Sequence, residues 1–228
     1  ISYFEEKLGP AVFNGYAYPN ISPALLAEQL PYLTDLAPFT YGITSEGALL
    51  PLSDEEMIAA ARLHGTAPVL HLSTLTENGQ FSTERAETVL TDGAMQAALL
   101  TQIADMVRVK GFAGVDVDFE YLPGYLSGAY AAFLERLRRI LRPIGRFLWV
   151  ALAPKTSADQ RGLLYEGHDY AALDAADDAG DEHGKQYIET GEAQRAQNEH
   201  GNRDRIDEYA ENRGHILWKF LLQTENWK

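Results

Sequence analysis

The chain has 228 residues, 46% of them hydrophobic, which is enough for one large domain with a buried core. Its formal net charge of −14 argues against a nucleic-acid partner, because phosphate binding needs clustered Lys and Arg. It contains no Cys, which excludes disulfides and thiolate metal sites, and no apolar run long enough to span a membrane. Ile1 opens the chain without a basic-then-apolar leader, so a signal peptide is expected to be absent or already removed.

Through the first two thirds, short apolar runs alternate with amphipathic segments. Val12 to Tyr18 predicts a strand, and Asn20 or Ser22 then caps a helix through Leu25, Leu26, Leu30 and Leu33. Leu36 to Ile43 predicts a second strand. Ser53 and Glu56 have capping-box spacing at the start of the next helix, which Gly65 closes. Pro68 to Leu72 is a third strand. A long helix follows, with Leu99, Ile103, Met106 and Val107 on one face, and Gly111 ends it. Phe112 to Tyr121 is the fourth strand, Leu134, Leu137 and Leu141 mark a helix, and Phe147 to Ala153 is the fifth strand.

This rhythm implies a parallel sheet with helical crossovers, closed either as a doubly wound sheet or as a β/α barrel. No G-x-G-x-x-G or G-x-x-x-x-G-K follows any strand, which weighs against nucleotide binding. Between Asp174 and Asn212 the only large apolar residues are Tyr187, Ile188, Ile206 and Tyr209, so that segment is expected to be loop or surface helix. Gly214 to Leu222 predicts one more strand.

Asp116, Asp118 and Glu120 alternate along the fourth strand, and alternate strand residues share a face. Three carboxylates on one face of a buried strand are expensive unless they share protons, accept hydrogen bonds or hold a cation. Such crowding raises at least one pKa, which a general acid near neutral pH needs. A solvent-facing edge strand is a weaker reading, given the apolar Val115, Val117 and Phe119 between the acids. A divalent-cation site is also weaker, because successive inward residues of one strand stand about 6.5–7 Å apart and the calcium-loop spacing is absent.

The run Gly114-Val115-Asp116-Val117-Asp118-Phe119-Glu120 resembles the D-G-x-D-x-D-x-E signature on the fourth barrel strand of glycoside hydrolase family 18, with Ala113 in place of the leading Asp. Gly15 to Tyr18, Phe39 to Tyr41 and Val150 to Lys155 resemble the ends of the first, second and fifth strands. Leu164 to Leu173 resembles the lead-in to the sixth strand in the spore-cortex peptidoglycan hydrolase branch.

The resemblance implies a (β/α)8 TIM-type barrel and retaining hydrolysis in which the substrate's own N-acetyl group is the nucleophile. Glu120 would protonate the glycosidic oxygen, Asp118 would orient the acetamido group, and Asp116 would tune Asp118. No metal or organic cofactor is implied. The substrate would be an N-acetylglucosamine-containing polysaccharide, peptidoglycan or chitin, and the setting extracellular, cell-wall or spore-associated. Tyr16, Tyr18, Tyr41 and Tyr121 lie near strand ends and are candidates to stack on sugar; core filling is an equal expectation for each. The family's last strand carries a Trp beneath the sugar, which makes Trp218 a candidate. His71 and His168 show no metal spacing and are expected to be solvated or hydrogen-bonded.

The chain departs from the family after Leu173, where a sixth strand ending in Met-x-Tyr is expected and polar sequence follows instead. Residues 1–228 are therefore expected to form one barrel-type domain, family-like over 1–173, atypical over 174–213 and last-strand-like over 214–228. Its sixth and seventh strand units would be shortened or missing, with self-association through exposed strand edges. A non-catalytic carbohydrate-binding or scaffold protein of the same descent is the alternative expectation.

Overall fold

A computed structural model describes residues 12–152, 155–157, 159–170, 172–173, 187–188 and 217–222. Strands β1 (Val12–Ala17), β2 (Asp35–Pro38), β3 (Ala67–Pro68) and β4 (Leu70–Ser73) are followed by β5 (Gly114–Asp118), β6 (Phe147–Leu152), β7 (Tyr187–Ile188) and β8 (Leu217–Leu222). Among the described residues the helices between them include α1 (Pro23–Gln29), α2 (Glu55–Leu63), α3 (Thr83–Thr91), α4 (Gly93–Lys110) and α5 (Ser127–Leu141).

All ladders between these strands are parallel, in the orders β3-β2-β1-β8 and β4-β5-β6-β7. Only Val69 separates β3 from β4. Its N–H reaches Leu36 O at 2.8 Å, while Tyr41 N–H reaches His71 O and Ser73 N–H reaches Tyr41 O, both at 2.9 Å. Residues 67–73 thus join the two sheets into one parallel wall. β8 pairs with β1 along six residues, as an eighth strand does beside a first. Where a sixth strand is expected, Tyr187 and Ile188 pair in parallel with Ala151 and Leu152.

The wall has two different faces. Val115, Val117 and Phe119 point to the helices, where Phe119 stacks between Tyr130 and Phe133 of α5 at 5.5 and 5.6 Å. Burying each such ring contributes about 1.5–3 kcal/mol. Ala17 and Leu36 meet α1 and α2 on that same side. Tyr16, Ala37, Val69 and Trp149 form a separate cluster on the other face. Among the described residues the helices lie on one face of this wall, as they do around a barrel.

Local chemistry sets the helix ends. Ser22 caps α1 by accepting from Leu25 N–H, and Gly111 (φ 65°) ends α4 in the left-handed conformation that favours glycine. The predicted long helix is α4, which ends at Gly111 and is opened by the Asp92 side chain accepting from Ala94 and Met95 N–H. One expectation needs correction. α2 begins at Glu55, and its N-cap residue Asp54 makes no side-chain cap bond. The buried Asp54 carboxylate accepts from Tyr41 Oη at 2.7 Å and pairs with Lys110, tying α2 to the end of α4.

Candidate active site

β5 lies between β4 and β6 and is buried along its length, so its acids are not on a solvent-facing edge. Register aligns His71 with Asp116 and Ser73 with Asp118 on one side, and Trp149 with Asp116 on the other. The period-two alternation that sends Leu70 and Leu72 to the helices leaves His71 and Ser73 on the face that carries Asp116 and Asp118. β1 contributes Asn14 and Tyr16 in the same way.

The resulting cluster is almost dry. Asn14 and His71 are fully buried, and Tyr16, Asp116 and Asp118 are at most 5% exposed. Asn14 Nδ2–H donates to Tyr16 Oη at 3.0 Å, and Tyr16 O–H donates to Asp116 Oδ2. His71 Nε2 stands 3.9 Å from Asp116 Oδ2 and 3.5 Å from Asp118 Oδ2. Its Nδ1 meets Thr40 Oγ1 at 2.6 Å, and its ring packs against Tyr16 (5.1 Å) and Phe39 (4.9 Å). Thr40 also bonds Ser73 Oγ at 3.2 Å.

Two residues beyond Asp118 the strand has ended, and Glu120 is half-buried. Tyr121 follows with φ 55° and 44% exposure; its carbonyl accepts from Thr83 Oγ1, and its ring lies 5.9 Å from Phe81. Beneath this exit lies the loop 159–168. His168 is 2% exposed, and its Nε2–H donates to Phe119 O at 2.8 Å. Lys155 Nζ in turn donates to His168 O and sits 5.0 Å from the Tyr170 ring.

Burial lowers the His168 pKa below 6.5, outweighing the opposing bond to Phe119 O. The imidazole is therefore neutral near pH 7, with its proton on Nε2. Burial also lowers Lys155, and it raises Tyr130 with help from the Asp118 and Asp116 carboxylates.

The aromatic candidates separate. Tyr16 is a partner of Asp116 and not an open stacking surface. Tyr18 is half-buried against Phe39 at 5.2 Å. Tyr121 is exposed at the rim. Tyr41 lies apart: it is fully buried on the helix side against Phe112, with its hydroxyl held by Asp54, because β2 ends at Pro38 and the strand alternation stops before Tyr41. The backbone of Trp218 pairs with Phe13 in β8, while its side chain falls outside the described residues. The Met-x-Tyr position expected after Leu173 also falls outside them. Sequence reasoning gave no site role to Asn14, Thr40, His71 or His168. The alternation of β1 and β4 contained the signal for Asn14 and His71, but only register brings those strands against β5.

Comparison with known proteins agrees with this geometry. No family model matches the chain. The chain is 36% identical over 147 residues to the cortical fragment-lytic enzyme of Bacillus subtilis (strain 168), covering 64% of this chain and 33% of that protein. It superposes on the spore cortex-lytic enzyme SleL of Bacillus megaterium QM B1551 with TM-score 0.71 and 30% identity, over 79% of this chain and 42% of the other. A class V chitinase from Pseudomonas fluorescens Pf-5 superposes with TM-score 0.70 and 25% identity, over 79% and 54%.

The fold is similar to that of solved spore cortex-lytic and chitinase structures. The chain is similar to glycoside hydrolase family 18 proteins, and among them to those of the spore-cortex branch. It matches about a third of the length of the curated cortical enzymes. Among the described residues, no helix is long and apolar enough to cross a membrane.

Proposed function

We propose that the chain is a glycosidase that cleaves β-1,4 bonds beside N-acetylglucosamine in peptidoglycan or chitin, using the substrate's acetamido group as nucleophile. The observation that carries this reading is the graded environment of β5: Asp116 and Asp118 are buried and tied to neighbouring strands, while Glu120 emerges half-buried at the strand's C-terminal end. That end is where barrel enzymes keep their chemistry.

In this mechanism the protonated Glu120 gives its proton to the glycosidic oxygen as the C1–O bond breaks. The acetamido carbonyl oxygen closes onto C1 from the opposite side, leaving positive charge on the acetamido nitrogen. Asp118 orients that group and stabilises the charge, and Asp116 tunes Asp118 as a like-charged neighbour. Water then attacks C1, the bond from C1 to the acetamido oxygen breaks to restore the neutral acetamide, and Glu120, now a carboxylate, takes the water's proton. Tyr121, with Phe81 beside it, offers a sugar-stacking surface at the rim, Tyr18 is a half-buried second contact, and Trp218 on β8 is the proposed floor.

Peptidoglycan is the favoured substrate, and spore or cell wall the favoured setting. This choice is supported by the similarity to proteins named as cortical fragment-lytic and spore cortex-lytic. Release of reducing ends from peptidoglycan and chitin oligomers tests the reading. Wild type should release them, and Glu120→Gln should be slower by about 10²–10⁴-fold, the usual contribution of a general acid. Equal inertness of both, with sugar still bound, would establish a non-catalytic carbohydrate-binding protein instead.

A further inference from the structure

We infer that His168 is a positioning residue: by donating from Nε2–H to Phe119 O, it holds the peptide plane that leads into Glu120 and sets where that carboxyl meets the scissile oxygen. This inference deepens the proposed function and rests on that reading.

One carbonyl links His168 to the proposed acid. Phe119 O belongs to the planar peptide unit whose nitrogen is that of Glu120, so a donor on this oxygen fixes the plane from which the Glu120 backbone departs. His168 Nε2 stands 2.8 Å from it, in a residue 2% exposed, and a carbonyl oxygen only accepts. The imidazole is itself held at its root. His168 N–H donates to Tyr165 O at 3.0 Å, Lys155 Nζ donates to His168 O, and the ring lies 5.6 Å from that of Tyr130. A buried carbonyl needs a donor whatever a protein does. This one matters to the chemistry because of its address, in the peptide unit that ends at the nitrogen of Glu120.

A second anchor lies on the other side of Glu120. Thr83 Oγ1, in the first turn of α3, donates to Tyr121 O at 2.8 Å. Tyr121 has φ 55°, a conformation unfavourable for a residue with a side chain and kept where surrounding contacts impose it. Glu120 therefore stands between two carbonyls, one gripped from the 159–168 loop and the other from α3. β5 ends at Asp118, so these bonds control the backbone where the strand ladders have stopped. Proton transfer is sensitive to such control: a displacement of about 1 Å can cost about 10²-fold in rate.

Leaving-group chemistry separates positioning from packing. A departing sugar oxygen needs the proton of Glu120, whereas 4-nitrophenolate departs with little help from an acid. The ratio kcat/KM covers the steps up to the first bond cleavage, so it reads that proton transfer. In His168→Leu, assayed where circular dichroism shows it folded, kcat/KM for an N-acetylglucosamine oligomer should fall about 10–10²-fold. For the 4-nitrophenyl glycoside of the same sugar it should stay within about threefold of wild type. His168→Gln, which keeps an N–H for Phe119 O, should recover most of the loss. Equal loss on both substrates, or no loss on either, is what a packing role gives and would overturn the inference.

Nitrogen NMR of the full wild-type chain labelled at histidine reads the bond without activity and without a variant at position 168. His168 Nε2 should give the signal of a protonated nitrogen whose hydrogen exchanges slowly with solvent, and Nδ1 that of a bare one. The reverse tautomer would overturn the inference. Wild type inert on both substrates would overturn the glycosidase reading and with it the role of this bond, while the expected tautomer would still show that the bond itself is made.

Discussion

At the scale of single residues, the site depends on donors that stabilise buried carboxylates. Asp116 lies at 1% exposure, and Tyr16 is the hydroxyl that donates to it. Tyr16→Phe removes that donor while keeping the ring, and should destabilise the chain by about 1–3 kcal/mol in urea unfolding, the usual cost of leaving a buried polar group unpaired. His168 gives a pH signature. Its folded-state pKa lies below the ordinary 6.5 because of burial, so the unfolded chain takes up the proton first as pH falls. Its contribution to stability is complete above about pH 6.5 and is lost progressively below it. His168→Gln keeps a donor for Phe119 O and removes the titration, so urea midpoints of the variant should fall less steeply below that pH than those of wild type. Identical slopes would remove His168 from the account.

At the scale of elements, the close approach of the 159–168 loop to the exit of β5 supports the position of Glu120. Gly167 makes this approach possible: a Cβ there would stand 2.1 Å from Leu122 Cβ and 2.6 Å from its carbonyl oxygen. Gly167→Ala should therefore push the loop away, cost about 1–3 kcal/mol as overpacking does, and lower kcat through Glu120. Unchanged stability in denaturant titration would contradict the close packing.

Most elements were legible in the sequence because apolar runs and helical periodicity reflect burial directly. Ser22, Gly65, Gly111, Asp116 and Asp118 fall where pattern puts them, whereas β5 ends at Asp118 and the predicted strand ran on through Glu120 to Tyr121. What was not legible depends on contacts between strands. Tyr41 reads as an extension of β2, yet the strand stops at Pro38 and its ring turns to the helices, where Asp54 waits. Ser53 and Glu56 read as a capping box, but Asp54 is taken by Tyr41 and Lys110 from elsewhere in the chain. His71 carries no local motif. It acquires meaning only when β4 is laid beside β5 in register, a fact that no period-two pattern contains.

At the scale of the whole molecule, among the described residues, a parallel wall carries helices on one face and a buried polar cluster on the other, with β8 set against β1 and β7 against β6. This architecture is similar to that of glycoside hydrolase family 18 proteins, and the chain matches about a third of the curated relatives' length. The central claim is that this wall still supports acid catalysis from Glu120. The most direct measurement is the release of reducing ends from purified peptidoglycan and chitin oligomers by wild type and Glu120→Gln, with sugar binding followed in parallel. The account predicts turnover by wild type, a loss of about 10²–10⁴-fold in the variant, and binding retained by both. Turnover that is the same in both proteins, or absent from both while sugar still binds, would contradict it.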